Sequence, residues 1–144
     1  VVCRRQRQMC IRDRNYTFII RFLGVFYAYF ILGLVLNWVF TPEIAAAEFG
    51  FVLSELSSDA QNALLRDFTS FFVATFLFSI LGVITLNPVW FFSAGIIYIG
   101  AGIFNLIAIY AHGTGFNQIF IGEFILGSWP IILGLVLSHK QKKT

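Results

Sequence analysis

The sequence predicts an all-α fold, namely a four-helix transmembrane bundle with a short extracytoplasmic helix between spans 1 and 2. Composition is the first reason, because 58% of the 144 residues are hydrophobic and only 12% are charged, whereas about 25% of a soluble domain is charged. The second reason is the presence of long charge-free stretches, since a bilayer-spanning helix needs about 20 mostly apolar residues. This composition excludes intrinsic disorder, a nucleic-acid-binding domain and a disulfide-stapled secreted fold.

Charge-free stretches and their breaks predict four spans, at about 18–40, 66–86, 89–111 and 118–137. Residues 22–42 lack charge and give the first span. The charge-free run 68–122 is too long for one helix, and Asn87-Pro88 divides it, because proline cannot continue a helical ladder. The turn-rich stretch 112–117 ends the third span. All four spans belong to one membrane domain, residues 15–138.

A polar segment, residues 41–66, separates the first two spans. Thr41-Pro42-Glu43 is typical of a helix start and predicts a short helix that stops near Gly50. Ser58-Asp59-Ala60-Gln61 has the pattern of a capping box. The second helix is therefore expected to begin near Asp59, outside the membrane.

The first fourteen residues differ from the rest of the chain. They hold five of the ten basic residues and both cysteines, Cys3 and Cys10. The run QRQMCIRDR resembles a translated sequencing adapter, so we interpret residues 1–14 as a non-native leader. The alternative is a native basic anchor before the first span. Without this segment the positive and negative charges of the chain nearly balance, so the basic pI does not indicate an acidic binding partner.

The remaining basic residues predict the orientation in the membrane. Arg21 lies at the entry of the first span, and the tail 139–144 is basic. Positive residues stay cytoplasmic, so both termini are expected inside, with loops 41–66 and 112–117 outside, in a bacterial inner membrane. Aromatic residues near span ends are expected to form an interfacial belt: Tyr16, Trp38, Trp90 and Tyr110.

Polar residues within the outer half of the spans form a candidate intramembrane cluster: Asn37, Arg66, Asn105, His112 and Glu123. A carboxylate that faces lipid is costly, so Glu123 is expected to face the bundle and pair with Arg66, Asn105 or His112, or to be protonated. One interpretation is a polar pocket in which Glu123 binds a proton or cation and Arg66 holds an anionic headgroup. The other is a structural Arg66–Glu123 ion pair that locks spans 2 and 4.

Small residues recur along the third span and predict close helix packing. This helix-packing set is Ala94, Gly95, Ala101, Gly102 and Ala108. A dimer face or a lipid-binding groove are the alternatives. The sequence contains no HExxH, GxSxG or phosphate-loop motif, so we expect no catalytic residue, no metal site and no cofactor.

The chain also resembles a known family. Asn62-Ala-Leu-Leu-Arg66 at the second span, the His112-Gly113 turn and Glu123 resemble the small four-helix bacterial membrane proteins of domain of unknown function family 4345, over about residues 55–137. The resemblance implies fold and location only. That family shows an arginine late in the third span where this chain has Asn105, which is a departure. A looser resemblance is to DoxX-like four-helix proteins.

These observations predict a small polytopic integral membrane protein that acts as a binding or structural component of the membrane and not as an enzyme. Its expected partner is membrane lipid, with a homo-oligomer or another membrane protein left open, and no nucleic acid. The alternative is a proton-coupled transporter of a small solute or lipid that uses Glu123.

Overall fold

The protein is all-α, as the sequence predicts. The computed structural model describes the backbone of residues 2–116 and 118–142, and the side chains of residues 15–116, 119 and 121–142. Its helices are α1 (Val2–Phe40), α2 (Pro42–Glu48), α3 (Ser58–Thr85), α4 (Pro88–His112) and α5 (Gln118–Gln141), with one 3₁₀ turn at Leu53–Glu55. No strand occurs in the described backbone. The predicted fold class is confirmed.

Within the described part of the chain, four segments are long and apolar enough to cross a membrane: Asn15–Phe40, Ser58–Thr85, Pro88–His112 and Ile121–Gln141. Large apolar side chains cover their outer surface, including Phe22, Tyr29, Ile96, Phe104 and Ile125. Soluble monomers rarely expose apolar patches this extensive. The chain therefore has the architecture of a multi-pass membrane protein.

Of the leader expected at residues 1–14, the structure describes only the backbone of residues 2–14. The backbone of residues 2–14 continues α1, whereas their side chains, and the whole of residue 1, are outside the description. The expectation of a non-native segment stays a prediction.

The short helix α2 begins at Pro42 with Thr41 as its N-cap residue, but the Thr41 side chain makes no capping bond. Its hydroxyl instead donates to the Asn37 carbonyl oxygen at 3.1 Å, which ties it to the end of α1. Ala45 and Ala46 are fully buried and fasten α2 to the bundle.

The second capping prediction is wrong by one residue. Ser57 is the N-cap of α3 and its Oγ accepts the Ala60 N–H at 3.3 Å. Gln61, expected to bond back to the cap, instead donates to the carbonyl oxygens of Leu53 and Leu56, at 2.7 and 3.1 Å. It therefore stabilises the loop before the helix. Either of the two adjacent serines, Ser57 or Ser58, could have capped the helix, and the path of the preceding loop selects Ser57.

A tight turn joins α3 to α4, as Asn87-Pro88 predicts. The Asn87 side chain accepts the Val89 N–H at 3.1 Å, with Pro88 in the first helical turn. Helix α3 ends at Thr85, one residue before the predicted end, because Leu86 adopts the left-handed conformation with φ of 52°.

Two buried clusters hold the bundle together. At the end away from α2, Phe91 is fully buried beside Ile20, Leu133 and Leu137. At the α2 end, aromatic residues of several helices pack against one another. The most extensive contact between two helices is that of α4 with α5.

Candidate functional site

A cavity of about 420 Å³ lies at the α2 end of the bundle and is lined by all five helices or their caps. Helix α1 contributes Phe30 and Leu34, α4 contributes Tyr98 and Ala101, and the end of α2 contributes Glu48 and Phe49. Within each long helix the lining residues recur every three or four positions, and α3 and α5 add adjacent residues (Asp67 with Phe68, Phe71 with Phe72, Gly122 with Glu123). This spacing places them on one broad helix face.

The α5 wall is a complete helical face. Ile119, Gly122, Glu123 and Leu126 all line the cavity, at positions i, i+3, i+4 and i+7. A Cβ added to Gly122 would meet no atom within 4 Å. Since Gly122 lies on the cavity face, its missing side chain leaves space inside the cavity.

Aromatic rings make up the α3 wall and connect it to α4. Phe71 meets Tyr98 edge-on at 4.8 Å between ring centroids. Phe68 stacks on Trp38 at 4.7 Å and meets Phe49 edge-on at 5.0 Å. Such pairs stabilise a packed arrangement by about 0.5–1.5 kcal/mol each, so they favour this arrangement of the wall. We call Trp38, Phe49, Phe68, Phe71, Phe72 and Tyr98 the aromatic cluster.

Trp38 corrects the expectation of an interfacial belt. It is only 3% exposed and lies within the aromatic cluster, behind the cavity wall. The Trp38–Phe68 stack and the contact with Phe49 hold it there. Tyr110, in contrast, is largely exposed near the end of α4.

The Tyr98 hydroxyl is the unsatisfied polar group of this site. Tyr98 is 3% exposed, lines the cavity, and its hydroxyl has no hydrogen-bond partner among the described residues. A buried polar atom without a partner costs about 1–3 kcal/mol. The ring is held by Phe71 and Phe72, so packing fixes the position of the buried hydroxyl.

Tyr27 lies next to this region but has its hydrogen bond. Its hydroxyl donates to the Leu126 carbonyl oxygen at 3.0 Å. Pro130 lies four residues further along α5 and lacks an N–H, so it cannot give that carbonyl its usual helical donor. Tyr27 therefore supplies from α1 the bond that α5 lacks, while the nearby Tyr98 hydroxyl has no such role.

Glu123 receives its hydrogen bond from α4. The Asn105 side-chain N–H donates to a carboxylate oxygen of Glu123 at 3.4 Å. Asn105 was one of three partners expected for Glu123, and the structure brings these two residues together. Glu123 is also half-buried in the cavity wall.

The proposed Arg66–Glu123 ion pair is not formed. Arg66 Nε donates instead to Asp67 Oδ1 at 2.8 Å, and the two side chains are 71% and 65% exposed. Asp67 lines the cavity, whereas Arg66 does not. Side chains at positions i and i+1 of a helix do not normally face each other, which is why the pairing of Arg66 with Asp67 was not anticipated. A surface pair of this kind contributes little stability.

The other two members of the predicted cluster lie apart from the cavity lining. His112 is exposed at the end of α4, and Asn37 is exposed at the end of α1, where its backbone carbonyl accepts bonds from Thr41. The predicted five-residue cluster therefore reduces to one contacting pair, Asn105 and Glu123.

The small residues of the third span pack mainly against α5. Ala94, Gly95 and Gly102 are buried. A Cβ on Gly95 would lie 2.6 Å from Ile131 Cγ1 and 2.7 Å from the Gly127 carbonyl oxygen, so only glycine allows this approach. Ala101 lines the cavity, and Ala108 is half-buried.

Three carboxylates line the cavity, from Glu48, Asp67 and Glu123. They do not come together as a metal-ligating group. Of these three carboxylates only that of Glu123 belongs to the cluster predicted from the sequence, and the aromatic cluster was not predicted. The sequence signal for this cluster was the i, i+3, i+4 spacing of Phe68, Phe71 and Phe72, which places the three rings on one helix face. It was overlooked because phenylalanine is expected anywhere in an apolar span.

Fold and site together define a small multi-pass helical bundle with an aromatic cavity at one end. Comparison of the chain with protein-family models, with curated proteins and with solved structures found no match. The resemblance to domain of unknown function family 4345, and the looser one to DoxX-like proteins, stay predictions.

Proposed function

We propose that the protein is a membrane binding protein that holds a small amphiphilic molecule in the aromatic cavity. The single observation that carries this proposal is the buried, unpartnered Tyr98 hydroxyl in a cavity of about 420 Å³. Small-molecule sites are mostly apolar cavities of about 300–1,000 Å³ with a few placed polar groups. The occupant supplies the partner that the hydroxyl lacks.

The chemical composition of the cavity lining supports binding and not catalysis. The wall is largely aromatic and aliphatic, and its polar groups are Tyr98 and three carboxylates. Glu123 receives its bond from Asn105, a residue that cannot exchange protons. This arrangement orients an amphiphile, with its apolar body against the rings and its polar end near the carboxylates.

The test is native mass spectrometry after extraction in a mild detergent. Gly122→Leu places a side chain in the cavity, since a Cβ there meets no atom within 4 Å. Gly100→Leu is the matched control, because Gly100 is also helical and also has open space, but it does not line the cavity. We expect a co-purifying small molecule on the wild type and on Gly100→Leu, and its loss from Gly122→Leu. Equal occupancy in all three proteins would overturn the proposal.

The second candidate is a proton-coupled transporter, favoured by the position of Glu123 in the cavity wall. Intramembrane carboxylates commonly mark ion or proton pathways. In proteoliposomes loaded with the co-purifying molecule, Glu123→Gln would then abolish pH-dependent flux. Unchanged pH-dependent flux in this variant would exclude coupling through Glu123, and wild-type flux no greater than that of protein-free liposomes would exclude the transporter.

For the location we propose a bacterial inner membrane with both termini in the cytoplasm and α2 outside. The support is the distribution of charge, with Lys140 in the last turn of α5, Lys142 just after it, and the acidic Glu43 and Glu48 on α2. In a background without native cysteines, Thr114→Cys should react with a membrane-impermeant maleimide on intact cells and Lys142→Cys should not. The reverse pattern would invert the topology.

A further inference from the structure

We propose that the occupant of the cavity is a lipophilic organic cation, that is, an apolar body with a positively charged nitrogen or phosphorus centre. This inference rests on the proposed function and adds the charge of the ligand. It is carried by the combination of an acidic lining, an aromatic wall and the unpartnered Tyr98 hydroxyl at one cavity.

The charge of the lining has one sign. Glu48, Asp67 and Glu123 line the cavity, and none of the described residues that line it is basic. Arg66 neutralises Asp67 through their 2.8 Å contact. The carboxyl groups of Glu48 and Glu123 are left, on two different helices, to attract a cation.

The aromatic wall favours the same kind of ligand. A cation within about 6 Å of a ring face is attracted by the quadrupole of the ring, and aromatic cages use this to bind quaternary ammonium groups. Phe30, Phe68 and Phe71 line the cavity together with Tyr98. The Tyr98 hydroxyl adds oxygen lone pairs, which accept from an ammonium N–H.

Other ligand classes fit this lining less well. An anionic headgroup would face two carboxyl groups without a basic partner in the wall. A neutral apolar molecule would remove water from the two carboxyl groups without offering them a hydrogen bond or an opposite charge, which costs free energy. A hard metal ion takes six or more oxygen ligands, whereas this wall is mainly carbon.

Two probes of closely similar size and opposite charge test the inference in neutral detergent micelles: tetraphenylphosphonium and tetraphenylborate. Binding is measured by equilibrium dialysis on the wild type and on Gly122→Leu, and the difference between the two proteins isolates the cavity from partition into micelles. We expect this difference for the phosphonium ion only.

Charge variants sharpen the result. Glu123→Gln and Glu48→Gln should each weaken phosphonium binding by about fivefold, the equivalent of roughly 1 kcal/mol for a partly exposed charge pair. Glu43→Gln is the matched control on α2, because Glu43 is acidic but does not line the cavity, and it should leave binding unchanged.

The outcomes separate the two proposals. Borate binding that equals or exceeds phosphonium binding, and that Gly122→Leu removes, would overturn the cationic ligand while the cavity stays a binding site. No Gly122-dependent binding of either ion would overturn both.

Competition identifies the source of the cation. Displacement of the phosphonium ion by phosphatidylethanolamine supports an ammonium-bearing lipid. Displacement by neither that lipid nor phosphatidylglycerol supports a free lipophilic cation. Displacement by phosphatidylglycerol alone would contradict the cationic ligand.

Discussion

The Tyr27 hydroxyl on α1 replaces the hydrogen bond that Pro130 removes from α5. Its acceptor is the Leu126 carbonyl oxygen, at 3.0 Å, four residues before the proline. Proline inside a helix leaves this carbonyl without its backbone donor, and a bilayer core offers no water in its place. One side chain therefore both joins two helices and makes an intramembrane proline tolerable.

Tyr27→Phe should lower the free energy of unfolding by about 1 kcal/mol, since it removes one hydrogen bond from a buried acceptor. A titration with denaturing detergent measures the loss. In a Pro130→Ala background the loss should be smaller, because residue 130 then supplies the N–H itself. An equal loss in both backgrounds would show that Tyr27 does not compensate for the proline.

The same substitution at Tyr98 should act in the opposite direction. Tyr98→Phe removes a hydroxyl without a partner among the described residues and keeps the ring contact with Phe71. The ligand-free protein should become more stable, by up to about 1 kcal/mol, while the affinity for the occupant falls. Thermal unfolding with and without added ligand checks both effects. A destabilisation as large as that of Tyr27→Phe would contradict the account of Tyr98 as a ligand group.

Gly95 and Gly100 provide a matched pair for the packing of α4. Gly95→Ala should destabilise the bundle by about 1–3 kcal/mol, because its Cβ would lie 2.7 Å from the backbone oxygen of Gly127. Gly100→Ala should be neutral or slightly stabilising, since its Cβ meets nothing within 4 Å and alanine favours a helix. Similar losses for both variants would argue against close packing of α4 on α5.

Glu123 should couple energetically to Asn105 and not to Arg66. The bond from Asn105 is long, at 3.4 Å, so a double-mutant cycle of Asn105→Ala and Glu123→Ala should give a coupling of about 0.5 kcal/mol. The effects of Arg66→Ala and Glu123→Ala should be additive, since Arg66 pairs with Asp67. Strong coupling between Arg66 and Glu123 would indicate that these two residues form an ion pair, contrary to the structure.

Hydropathy and proline placement predicted most of the fold. The turn at Asn87-Pro88 appears where the sequence places it, because proline has strong local effects on the backbone. The predicted N-cap of α3 was wrong by one residue, since Ser57 and Ser58 have equal intrinsic capping ability. The bonds from Gln61 to Leu53 and Leu56 involve a loop whose path no local pattern specifies.

The site was less accessible to sequence reasoning. Glu123 stood out because charge within a span is rare, and Asn105 was named as one of its partners. The aromatic cluster was missed, since phenylalanine in a membrane helix faces lipid or core with the same hydropathy. Which face of α3 meets which face of α4 is a tertiary property, and it decides that Phe71 and Tyr98 enclose a cavity.

The most direct test of the occupied cavity uses the fluorescence of Trp38. This residue stacks on Phe68, which lines the cavity, and Trp90→Phe with Trp129→Phe leaves it as the remaining tryptophan of the chain. A brominated alkyl amphiphile should quench Trp38 emission saturably in this background. Gly122→Leu should abolish the saturable quenching, and Gly100→Leu should retain it. Quenching that rises without saturation, to the same extent in all three proteins, would contradict the proposed binding cavity.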